Sequence, residues 1–204
     1  MKKRFSGIVL LLLLAVGLTA CGGQGETKQG MTIRPSEFSE ETQKVLAVVD
    51  DELAFFDYAV DESIRSKSVN IWQYKDGQWV SAGQTFGDLD ERKATIAIRL
   101  NDASYDIIEI TDSGRNKYSS KSVVDFSTAG AQSAKRLDGP TTITAGTEIP
   151  LWVVLGYEND RIDTSNATGD FRQADCVSGL AVTVTFYEEA MEHYVNAASS
   201  STSR

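Results

Sequence analysis

Apolar residues at every second position constrain this chain more than any other feature. Over residues 94–100, Ala94, Ile96, Ile98 and Leu100 alternate with Thr95, Ala97 and Arg99. Over residues 180–187, Leu180, Val182, Val184 and Phe186 alternate with Ala181, Thr183, Thr185 and Tyr187. Phe56, Tyr58 and Val60 alternate in the same way with Asp57, Ala59 and Asp61. A period of two sends successive side chains to opposite faces of a strand and cannot form one stripe on a helix. Further runs at 69–74, 79–81, 105–111, 141–144 and 149–157 bring the total to roughly eight or nine short strands. Alternation of this kind implies antiparallel sheets with one buried face each. The expected fold is mainly β: an antiparallel β-sandwich of 8–9 strands with one N-terminal amphipathic helix, a barrel being the alternative closure.

The helix is expected after Pro35, with Ser36 as its cap and Glu37, Glu40 and Glu41 in the first turns, where acidic charge is favoured. Phe38, Val45, Leu46, Val49 and Leu53 share one stripe, made to lie on something. Lys75-Asp76-Gly77-Gln78 interrupts two β-rich runs, and Asp-Gly supplies the two positive-φ residues of a type I′ hairpin turn. With a two-residue turn, Lys75 pairs with Gln78, Tyr74 with Trp79 and Trp72 with Ser81. Trp72, Tyr74 and Trp79 then share one hairpin face, and Ile71, Gln73 and Val80 the other. Residues 115–139 read as a long loop or weak edge strand, and residues 158–168 as a polar loop.

The formal charge is −9. Three of the 20 basic residues, Lys2, Lys3 and Arg4, precede residue 21, and all 29 acids follow it, so residues 21–204 carry 17 against 29, a formal −12. Such a domain repels phosphate backbones, and no basic stripe offsets the repulsion, so nucleic acid is excluded as a partner.

The cationic start is followed by an apolar, uncharged run over residues 7–20. Fourteen helical residues span about 21 Å, short of the roughly 30 Å hydrocarbon core, so a signal peptide fits better than a membrane span. Leu18-Thr19-Ala20-Cys21 then resembles the lipobox of bacterial lipoproteins. The resemblance implies cleavage between Ala20 and Cys21 and diacylglyceryl attachment to the Cys21 thiol. The domain would sit outside the cytoplasm, held to the cell membrane by acyl chains, each buried CH₂ contributing about 0.8 kcal/mol. The expected organisation is a lipoprotein signal peptide (1–20), a Gly-rich flexible tether (21–34), a β-sandwich domain (35–192) and a disordered tail (193–204). The run over residues 55–80 also resembles bacterial surface lipoproteins of uncharacterised role with Ig-like or carbohydrate-module-like sandwiches.

Chemistry-bearing motifs are sparse. His193 is the sole histidine and Cys176 the sole cysteine after Cys21, which leaves no set for a zinc site and no pair for a disulfide. Gly-Lys-Ser/Thr, paired Gly-rich loops and Gly-x-Ser-x-Gly do not occur, and no cofactor is implied. No catalytic residue and no metal ligand is assigned. Glu158, Asn159, Asp160 and Asp163, and separately Asp88 and Asp90, read as solvated acids rather than a calcium loop. Cys176 reads as a buried, inert thiol rather than a reactive one. Trp72, Tyr74 and Trp79 are the candidate ligand-binding residues: rings on a sheet face either fill a core or stack on a sugar or partner. Both hairpin faces carry core-like sets, so something must cover one, with the helix stripe as candidate. The leading function is a non-catalytic binding domain for a glycan or an envelope protein. The alternatives are a structural or sensory accessory subunit of a membrane complex and a two-carboxylate hydrolase.

Overall fold

A computed structural model describes residues 30–49, 53–100, 104–121, 124–127, 129–159 and 170–191. The signal peptide, Cys21, Asp160, Asp163, His193 and the tail expected over 193–204 lie outside the described residues. In chain order the elements are β1 (Thr32–Pro35), α1 (Glu40–Val49), β2 (Leu53–Ala59), β3 (Ser66–Lys75), β4 (Gln78–Asp88), β5 (Lys93–Leu100) and β6 (Ser104–Ile110). There follow β7 (Arg115–Lys121), β8 (Ala131–Arg136), β9 (Thr141–Thr142), β10 (Glu148–Tyr157) and β11 (Ser178–Tyr187). The protein is mainly β, in two antiparallel sheets ordered β7-β6-β5-β2-β1-β9 and β4-β3-β11-β10-β8. The last strand among the described residues, β11, is the middle strand of the second sheet.

The alternating residues meet in one shared core. Ile33, Phe56, Ile96 and Ile98 from the first sheet join Ile71, Leu151, Val182 and Phe186 from the second. The rings of Tyr58 and Phe186, one from each sheet, stand edge to face 5.2 Å apart. Each such side chain contributes about 1.5–3 kcal/mol by leaving water.

Three expectations need correction. Thr32–Pro35, mostly assigned to the tether, is a strand, because β2 and β9 both pair with it and Ile33 is buried between the sheets. The helix begins later than Ser36, which instead donates to Asp57 Oδ1 at 2.7 Å. Ser39 is the cap: its Oγ accepts from Thr42 N at 3.3 Å and its carbonyl from Gln43 N. The stripe does not lie flat on a sheet, since its Val45 is 63% exposed while Leu46 is half-buried. Leu53 opens β2 rather than closing the stripe. Phe38 tethers the helix start edge-on to Phe55 at 5.2 Å. Finally, the described residues form eleven strands rather than 8–9; within 115–139 the edge-strand reading holds, twice over, as β7 and β8 on different sheets. β7 carries Arg115, Lys117 and Lys121, the charge that guards an exposed sheet edge.

Candidate functional site

The β3–β4 hairpin has the expected register: Lys75 faces Gln78, Tyr74 faces Trp79 and Trp72 faces Ser81. Asp76 and Gly77 take φ of 51° and 83°, as a type I′ turn demands. Trp72, Tyr74 and Trp79 do share a face, but it is not open. They are half-buried, and their cover is the segment before β11 rather than α1. That segment contains a single 3₁₀ turn, Phe171–Gln173, capped by the Asp170 carboxylate. Phe171 packs edge-on against Trp79 at 4.7 Å, and Trp79 in turn meets Tyr74 at 5.7 Å. The Arg172 guanidinium lies over the Trp72 ring at 4.4 Å and pairs with Glu148 at 2.8 Å. Glu148 Oε1 also accepts from Trp72 Nε1 at 2.8 Å and from Thr183 Oγ1 at 2.6 Å. The outer face of the second sheet thus carries a small second core, in which the three rings are half-buried.

Cys176 lies in the same cover and is buried. Burial, with help from the Asp175 charge, pushes its thiol up to about 11, so it stays protonated and unreactive at neutral pH. Trp152 points with Leu151 into the main core, although successive residues of a regular strand face opposite ways. A β-bulge between Pro150 and Trp152 makes room for both, and Val153 and Leu155 go to the outer core instead. Asp88 is occupied as acceptor of the Met191 N–H at 2.7 Å. Among the described residues no three His, Cys, Asp or Glu side chains are placed to hold a metal ion, and no helix is long and apolar enough to cross a membrane.

A hollow opens between the sheets, where edge strands β4 and β7 stand apart. It has a volume of about 460 Å³. Val69, Ile96 and Ile107 make its apolar walls, and Lys67 and Glu109 lie within it. Lys67 is on the inward face of β3 in phase with Val69 and Ile71, and Glu109 is on the inward face of β6 in phase with Ile107. Their side chains are 8% and 22% exposed and form an ion pair of 2.6 Å. Tyr58 secures the pair: its hydroxyl donates to Glu109 Oε1 at 2.9 Å and its ring lies 5.9 Å from Lys67 Nζ. Burial, reinforced by the Glu109 charge and hydrogen bond, drives the Tyr58 pKa far above its ordinary value, so this hydroxyl remains a donor. Both contacts fall on Oε1. Oε2 is used by neither Tyr58 nor Lys67.

Lys67 and Glu109 are not among the residues that the sequence motifs single out. Their signal is phase: a charge at an inward position costs free energy unless it is paired, so one such violation on each of two sheets points across the core to the other. No family model, no curated protein and no solved structure matches this chain.

Proposed function

We propose that the chain is a lipid-anchored, extracytoplasmic, non-catalytic binding domain, an antiparallel β-sandwich with an N-terminal amphipathic helix. Its ligand, a group on a glycan or on an envelope protein, enters the cleft between β4 and β7. The observation that carries this reading is the buried Lys67–Glu109 pair in a cavity of small-ligand size. The address rests on the order of charge, apolar run, small residues and Cys21. Metabolic labelling with an alkyne palmitate tests it. Wild type should take up label and sediment with membranes, and Cys21→Ala should do neither; an unlabelled wild type would refute the anchor.

The cleft is tested by filling it. Gly87 on β4 lines it, and a Cβ there would meet nothing within 4 Å. Gly87→Trp should therefore fold with an unchanged Tm and lose at least tenfold in binding to glycan arrays and solubilised envelope proteins. Trp72→Ala and Trp79→Ala should lower Tm and retain binding. The reverse pattern would move the site to the hairpin.

The accessory-subunit reading draws on one observation, the exposed Val45 and Val48 on α1. A photo-crosslinker at position 48 that captures a single integral membrane protein in intact cells would favour it.

A further inference from the structure

The floor of the cleft has a chemistry that selects among ligands. Lys67 and Glu109 are opposite charges 2.6 Å apart, so the floor is electroneutral as a unit while still offering an N–H donor and a carboxylate acceptor side by side. An anion drawn to Lys67 would meet Glu109 at ion-pair range, and a cation drawn to Glu109 would meet Lys67. Either would give up its hydration for a cancelled field, a poor exchange in a partly apolar site. A hydroxyl has no such conflict, because it accepts and donates at the same oxygen. It can accept from Lys67 Nζ and donate to Glu109 Oε2, the oxygen that Tyr58 and Lys67 leave unused. Hydrogen bonds to charged groups are the stronger kind, and Tyr58 holds the carboxylate in place beforehand, which lowers the ordering cost of binding. Phe86 and Tyr118, the exposed large apolar side chains of the lining, provide a surface for the carbon skeleton that carries the hydroxyls.

We infer that the cleft binds an uncharged, hydroxyl-bearing ring, one residue of a neutral glycan, with Lys67 as donor and Glu109 as acceptor to its hydroxyls. The inference rests on the cleft being the binding site, and the arms below separate the two.

The experiment uses the full chain in a detergent without a sugar headgroup. Saturation-transfer NMR and calorimetry are run with maltotriose, cellotriose and triacetylchitotriose as neutral probes. The charged probes are the corresponding uronic-acid and deacetylated amino-sugar oligomers. At least one neutral probe should bind wild type, its charged counterparts at least tenfold more weakly, and Gly87→Trp should abolish binding. Glu109→Gln leaves Lys67 as the only charge of the pair and should shift preference at least tenfold towards the uronic acid. Lys67→Met should shift it at least tenfold towards the amino sugar. The wild-type comparison stands alone if either variant fails to fold. Equal or better binding of the charged probes overturns the ligand class. So does the absence of neutral-probe binding while Gly87→Trp still removes an envelope-protein ligand, a result that would leave the cleft in place. Neutral-probe binding that Gly87→Trp does not touch overturns both.

Discussion

Phe171→Ala should destabilise the protein by about 3–5 kcal/mol, the range for deleting a buried phenyl ring. Phe171 is fully buried, yet the turn that carries it has only three residues and no stability of its own. The ring is what holds residues 170–177 against Trp79, and Arg172 follows from it: the guanidinium lies 4.4 Å over both the Phe171 and Trp72 rings. Losing the phenyl group should let water reach Trp72 and Trp79 while Trp152 stays in the main core. The expected result is a lower urea midpoint together with red-shifted, iodide-quenchable tryptophan emission in the folded state. Emission identical to wild type would mean that the cover does not depend on this residue.

The second large effect is expected at Asp106. Its side chain is 3% exposed, paired with Arg99, with Lys117 at 3.1 Å and with Ser119 at 2.6 Å. Burial alone would raise its pKa, but the hydrogen bonds from Ser119, Lys117 and Arg99, with the Arg99 charge, outweigh burial and hold it below the ordinary value. A carboxyl depressed in the folded state contributes stability above its unfolded pKa of about 4 and loses it as pH falls through the folded value. Asp106→Ala should cost about 2 kcal/mol at neutral pH, less than the 3–5 of a fully buried pair because Arg99 and Lys117 are half exposed and can rehydrate. Its stability should also fall less steeply below about pH 4 than that of wild type. Parallel acid limbs in urea titrations of the two proteins would contradict the assignment.

Where local chemistry decides the outcome, the sequence was readable. Asp76-Gly77 admits only one turn of its length, and the register of three cross-strand pairs follows from it. The inward sets of β5 and β11 follow likewise from strict alternation. Tertiary partners decided the rest. Phe171 is one ring in a polar stretch, and the residue it covers, Trp79, lies more than ninety positions away, so no period announces the contact. Leu151 and Trp152 break alternation because of a bulge that consecutive apolar residues do not signal. The α1 stripe has the right spacing, but Ser39 rather than Ser36 sets its start and the sheets leave its Val45 in water. For the cleft, the information was present as an exception, Lys67 and Glu109 standing where the pattern asks for apolar residues.

The central place of β11 has a consequence for the order of assembly. β3 and β10 have no shared neighbour until β11 slots between them, so the second sheet cannot close before residues 178–187 have been delivered. Until then the second sheet exists only as two separate pairs, β3 with β4 and β8 with β10. Stop codons placed anywhere before Tyr187 should accordingly yield proteolytic debris rather than a shortened domain.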